Sequence, residues 1–405
     1  MNKNSINHKT ERTRVAVNNV VFSAIILPIF SIGLSSSAFA ESHSPVMYRT
    51  NVGKITIEID PRVELIGIVF RLAGNPEYNE GTLRPYVKAI ERHFGDFDNH
   101  PVVKMAAELR HKRSMSCDGP MSLAIHIDHN FRPRKSFEQW PWEGLDYRWE
   151  KQETEEFLEK LRQFAAETKF DEFFKAQGHI YEQGIRPCKS ILEQNKVAKD
   201  QSGLEFVKFL SVDMEEWLSD FFGIEDTGDL RLVLGFVNGF ANYGVRFEPG
   251  GVSEKYAIIG MRPFDPANTI IFHPQQIETV AHEFCHSFAN PVVEKYMDQL
   301  QPTGERLFAS HGAAMRMRGY QKWESVMYET AVRACVASFI RDSIVAPGFA
   351  DYCMKNEVKA GFVWIEDTGN FLKTYESNRD KYPTFESFFP EFVAFLNEYT
   401  KKSAR

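Results

Sequence analysis

The sequence predicts an α+β protein: a small antiparallel sheet packed against a mainly helical body, with a metal-binding helix carrying His282-Glu283-Phe284-Cys285-His286. Three observations lead there. Helical periodicity dominates from about 150 to 222 and again from 274 onward. Between them, Leu230–Phe236, Tyr243–Phe247, Lys255–Gly260 and Thr269–Phe272 read as strands, punctuated by Gly239, Gly244, Pro249-Gly250-Gly251 and Pro263. Their close spacing implies antiparallel pairing through tight connections, and grouped strands beside grouped helices are the α+β arrangement.

Residues 1–40 read as an export signal. Lys3, Lys9, Arg12 and Arg14 form a basic start, Val20 to Leu34 an apolar run, and Ala38-Phe39-Ala40 an A-x-A cleavage site before Glu41. The apolar run is shorter than the roughly 20 residues a spanning helix needs, so cleavage is expected rather than stable membrane insertion. The expected organisation is a signal peptide (1–40), an N-terminal α/β portion (41–150) and a helical, catalytic portion (151–405), or one continuous domain over 41–405. The expected location is exported, periplasmic or secreted. The net charge of −7 comes from interspersed acids and bases with no basic stripe, which argues against nucleic acid as a partner. Cys117, Cys188, Cys285, Cys335 and Cys353 form no paired metal knuckles, and the sequence assigns neither a disulfide connectivity nor an oligomeric state.

In chain order, Ile55–Ile59 alternates like a strand, and Asp60-Pro61 opens a helix through Leu72, with proline at the tolerated first turn. Residues 84–95 form a second helix. Met121–Ile127 reads as a strand, and 130–145, rich in Pro, Trp and Arg, as a loop. Glu153–Phe164, Lys169–Gln177 and Val207–Phe222 are amphipathic helical segments.

The central helix is expected to start at Pro274 and stop at Asn290-Pro291. Ile277, Val280, Ala281, Phe284 and Phe288 give it one apolar face, and His282 and His286, one turn apart, fall together on the opposite side. Two imidazoles at that spacing can grip one metal ion, with Glu283 beside them to act on water. A catalytic zinc takes a third protein ligand. No histidine follows at the short metzincin spacing, since residues 289 and 292 are Ala and Val. Later glutamates remain: Glu294, Glu305, Glu324 and Glu329. Glu305 sits in a loop-like Pro302-Thr303-Gly304 context, whereas Glu329 sits in a helical run from Trp323 with Arg333 one turn on, which could orient it.

The chain resembles a family of bacterial proteins described only as a domain of unknown function and expected to be gluzincin-type metallopeptidases. The resemblance rests on Glu64–Gly74 with Glu77-Tyr78, on His282–Phe288 with Asn290-Pro291, and on Glu329 with Val332-Arg333-Ala334, and it spans roughly 56–395. It implies a zincin-like fold, Zn2+ as cofactor, and Glu329 as the third ligand beside His282 and His286. Two residues depart from the pattern: Tyr328 stands where Asn is expected, and Cys285 lies within the metal motif.

The resulting expectation is an exported zinc-dependent hydrolase, a metallopeptidase acting on peptide or protein, with Glu283 as general base. The alternative is an exported binding or envelope-associated protein with a structural or vestigial metal site. Other residues carry weaker signals. Cys285 reads as a buried small side chain. His126, Asp128 and His129 could hint at a second metal site but read better as a surface strand. The stretch Gly239–Gly244 reads either as a turn or as the approach to a peptide-binding strand edge. Tyr243, His311 and Tyr320 are equal candidates for stabilising an oxyanion.

Overall fold

The computed structural model describes residues 47–81, 83–116, 118–193, 198–199, 205–206, 210–248, 250–261, 270–272, 275–344 and 348–403. The stretch 1–40 expected to be a signal peptide, Cys117, residues 207–209, Pro249, Pro263, Thr269 and the expected Pro274 helix start lie outside them. Residues Pro45–Arg405 cluster as one compact unit.

The fold opens with a hairpin, β1 (Tyr48–Val52) and β2 (Ile55–Ile59), closed by a two-residue turn. Gly53 at the first turn position has φ +56°, the left-handed conformation such hairpins require of glycine. Asp60 caps α1 (Pro61–Leu72): its carboxylate accepts the Arg62 backbone N–H at 2.9 Å and pairs with the Arg62 guanidinium, which donates to the Ile127 carbonyl at 2.8 Å. The first ten residues of α1 are buried on all sides, so it is a core helix rather than an amphipathic one. Glu64 within it accepts the Phe236 backbone N–H at 2.7 Å and the Tyr86 hydroxyl at 2.6 Å. Then follow α2 (Arg84–Phe94), α3 (Pro101–Arg113), α4 (Asp118–Ile125), α5 (Lys151–Glu167), α6 (Phe170–Ala176) and α7 (Gly178–Leu192). A short pair, β3 (Ala198–Lys199) and β4 (Glu205–Phe206), precedes α8 (Met214–Phe222), which Asp213 caps and Gly223 ends in the left-handed conformation.

The main sheet is completed by β5 (Asp229–Gly235), β6 (Asn242–Phe247) and β7 (Glu254–Gly260), in the order β1-β2-β5-β7-β6. It is mixed, which corrects the expected antiparallel sheet: β2–β5 and β5–β7 are parallel, and only the flanking pairs β1–β2 and β6–β7 are antiparallel. β7 inserts between β5 and β6, and β5 and β7 are buried along nearly their whole length, as central parallel strands are. Of Thr269–Phe272, Ile270 makes only an isolated bridge.

Across β6 and β7 lies α9 (Gln276–Lys295), and α9 packs in turn against α11 (Trp323–Ser343). Around them gather α10 (Met297–Met317), α12 (Phe349–Lys359), α13 (Ile365–Glu376) and α14 (Phe385–Ser403). Three expectations need correction. Met121–Ile127 falls mainly in α4, not a strand; an apolar run buried on every side carries no periodicity to separate the two. α9 continues through Pro291 to Lys295, because proline removes one hydrogen bond without preventing further turns. Pro302–Glu305 lies inside α10 rather than in a loop. Among the described residues, no helix is long and apolar enough to cross a membrane.

Candidate metal centre

The core face of α9 fixes where its polar residues point. Ile277, Val280, Ala281, Phe284, Cys285 and Ala289 are fully buried, which turns His282 and His286 toward α11. The two Nε2 atoms stand 3.2 Å apart with the ring planes at 79°. Glu329 on α11 reaches across: its carboxylate oxygens lie 3.5 Å from His282 Nε2 and 3.4 Å from His286 Nε2. Among the described residues, these three form the one group of His, Cys, Asp and Glu side chains placed to hold a metal ion.

The spacing fits an ion. Donors bound at about 2.0–2.1 Å in tetrahedral geometry stand about 3.3–3.4 Å from one another, close to the separations seen here. Glu329 Oε2 is buried and accepts no well-aligned hydrogen bond, although Arg333 Nη2 is 3.0 Å away. An orphaned carboxylate oxygen facing two imidazole lone pairs is the donor set a divalent cation satisfies.

The surroundings hold this geometry. Asn290, one turn beyond His286, has Oδ1 3.3 Å from His286 Nδ1. Donation from Nδ1–H leaves the Nε2 lone pair facing the cluster. Arg333 binds Glu329, Glu357 and the Tyr320 hydroxyl (3.2 Å) at once, and its guanidinium lies 4.4 Å from the centre of the Phe362 ring. On the strand side, Gly244 of β6 meets the Glu283 carbonyl and His286 Cβ so closely that no side chain fits between.

Charge follows from these contacts. Burial pushes the Glu329 carboxyl up, but Arg333 and both imidazoles outweigh it and hold the group well below the usual carboxylate range. Burial disfavours a charged His286, yet Glu329 dominates and pushes it up to about 9. Glu283 is buried beside the cluster and its carboxylate has no hydrogen-bond partner among the described residues. Burial pushes its carboxyl up, tempered by the two imidazoles, which suits a group that takes and returns a proton.

Residues 256–395 match the family described as Domain of unknown function (DUF4932). The match takes in both histidines, Glu283 and Glu329, and leaves out the Glu64–Tyr78 stretch. No curated protein and no solved structure matches the chain.

The other sequence candidates fall elsewhere. Glu294 is exposed two turns beyond His286, Glu305 pairs with Gln301 on α10, and Glu324 lies in the first turn of α11. Cys285 faces the core, where burial drives its thiol far up, and it is no part of the metal group. His126 is buried at the end of α4 with its ring nitrogens on the Ser122 and Glu143 carbonyls, and Asp128 accepts two backbone N–H groups of its own turn, so no second site forms there. Of the three oxyanion candidates, Tyr320 joins the Arg333–Glu329 network, Tyr243 is buried on β6, and His311, on α10, lies with its ring tilted against that of Trp364. Sequence reasoning missed Glu357 and the bracing role of Asn290. The latter had a signal: it stands one turn after His286 on the same helix face.

Proposed function

We propose that this chain is an exported zinc-dependent hydrolase, a gluzincin-type metallopeptidase on a zincin-like fold. The observation that carries this reading is the convergence of His282, His286 and Glu329 beside the buried carboxylate of Glu283, which has no hydrogen-bond partner among the described residues. Two imidazoles and one carboxylate are a donor set suited to catalytic zinc, which leaves a fourth position open. When bound, zinc supplies Lewis acidity, acidifying water and polarising a carbonyl. Glu283 takes the proton of the attacking water and returns it to the leaving amine. Arg333 and Asn290 keep Glu329 and His286 aimed at the ion, so little reorganisation is needed at each turnover. A purely structural site has no use for a buried carboxylate in that place, which favours the enzyme over the binding protein.

The test is elemental analysis of the purified protein with an unbiased peptide-library digest, run with and without chelator. About one zinc per chain and chelator-sensitive cleavage are expected, with Glu283→Gln retaining zinc and losing cleavage. A protein that neither carries nor takes up a transition metal, or a Glu283→Gln variant that cleaves like the parent, refutes the reading.

A further inference from the structure

A cleft of about 630 Å³ opens beside the candidate metal centre, with His286 among its lining residues. One wall is α9, where the His282–His286 stripe continues at four-residue spacing through Asn290 to Glu294. Opposite runs β6 from Gly244 to Arg246, with Glu248 beyond it. Among the described residues β6 is an edge strand, hydrogen-bonded on one side to β7. The loop bearing Glu143 and Gly144 closes the third side.

Two independent features of this cleft point to a ligand. The first is Ser287, which lines it while being 5% exposed, with an Oγ that has no hydrogen-bond partner among the described residues. Its backbone carbonyl receives no α-helical bond either, because the residue four positions on is Pro291. Buried polar groups are rarely left unpaired, and a chain lying in the cleft supplies partners for both. The second is charge. Asp118, Glu143, Asp146, Glu248 and Glu294 line the cleft against Arg246 and Lys295. Arg148 offsets Asp118 and Asp146, at 2.7 Å each, while Lys295 is drawn to Glu386 at 2.8 Å. Arg246 is shared between Glu143 (3.8 Å) and Glu248 (3.1 Å), and Glu294 accepts the Tyr328 hydroxyl at 3.4 Å and has no cationic partner among the described residues. With these partners included, the cleft stays negative.

We propose, resting on the metallopeptidase reading, that the cleft receives an extended peptide and selects Lys or Arg side chains on one side of the scissile bond. Ser287 anchors the peptide backbone, and Glu294, with Glu248, determines the preference. Glu294 lies eight positions beyond His286 on the helix, about 12 Å at 1.5 Å per residue. An extended chain advances about 3.3 Å per residue, which puts the selected basic side chain about three to four residues from the bond being cut.

The test uses the zinc-loaded Glu283→Gln variant and two dye-labelled decapeptides identical except for Lys or Glu at alternate positions, with binding followed by fluorescence anisotropy. The lysine peptide is expected to bind about tenfold tighter at low salt, the sum of two or three exposed ion pairs. The preference shrinks as salt rises and falls to about twofold when Glu248→Gln and Glu294→Gln are added. Ser287→Ala weakens both peptides alike. Equal affinity, a preference for the glutamate peptide, or a preference untouched by the added substitutions overturns the proposal. Cleavage by the wild-type protein is scored separately: zinc-bound protein that cuts neither peptide nor any library member refutes the peptidase reading, while the binding comparison still decides the charge preference.

Discussion

Gly244→Ala is the most direct probe of how the sheet positions the helix of the candidate metal centre. A Cβ at this position would lie 2.8 Å from His286 Cβ and 3.2 Å from the Glu283 carbonyl carbon, with the carbonyl oxygen closer still. Carbon atoms in contact stand about 3.5–4.0 Å apart, so α9 must move off β6 by about 1 Å or β6 must buckle. Backbone and a Cβ are what the new methyl meets, and neither can swing aside. Overpacking of this kind costs about 1–3 kcal/mol. The displacement also exceeds the ~0.2 Å tolerance of coordination distances, and it moves His286 relative to Glu329, which sits on a different helix. The expected outcome is a loss of about 1–3 kcal/mol in denaturant unfolding, with zinc affinity weakened by about tenfold or more in competition with a chromogenic chelator. Gly95→Ala is the control, since nothing lies within 4 Å of its added methyl and its backbone is right-handed helical. Wild-type stability and zinc affinity in Gly244→Ala would refute the close strand–helix contact and the positional argument built on it.

Further outcomes follow from the same geometry. Glu329→Ala should abolish tight zinc binding, measured by chelator competition, while Glu305→Ala and Glu324→Ala bind zinc as the parent does; equal losses in all three would reopen the ligand assignment. Asn290→Ala frees the His286 ring and should weaken zinc binding by roughly 10- to 100-fold with little change in fold stability. Glu64 gives a pH test away from the metal. Burial outweighs its bonds from Tyr86 and the Phe236 amide and pushes its carboxyl up to about 7. Its folded-state affinity for the proton thus exceeds the unfolded one, so its stabilising contribution is complete below about pH 4.5 and is lost as pH rises through 7, on the order of 3 kcal/mol in all. Glu64→Gln should flatten the decline of the unfolding midpoint over that range, and an unchanged slope in the variant would refute it.

The helix of the His-Glu-x-x-His motif was legible because its signal is local: apolar residues at helical spacing fix the buried face, and the histidines then share the other. Strands β2, β5, β6 and β7 were legible for the same reason. Their order was not, because the insertion of β7 between β5 and β6 depends on pairings between distant segments, not on any pattern within one strand. The apolar run Met121–Ile125 of α4, buried on every side, looked like a strand, as a run without a polar face must. Pro291 marked a helix end and Pro302 a loop, and neither occurs; each proline sits within a long helix that neighbouring elements hold in place. Residue type and spacing left four glutamates open as third ligand. What brings Glu329 to the histidines is the packing of α11 on α9, a contact that only the folded chain contains.

Among the described residues, β7 is the one strand paired with β6, which leaves β6 at the edge of the sheet. A strand with open backbone donors and acceptors invites another copy of the same chain to pair with it, and that pairing is how many proteins begin to aggregate. Here the outermost positions are partly exposed and alternate with buried ones, and Arg246, flanked by Glu143 and Glu248, puts charge of both signs along the rim. Two copies approaching edge to edge must strip water from those charges before any ladder forms. The ion pairs along this rim therefore oppose edge-to-edge pairing of two copies at β6, beside the candidate metal centre.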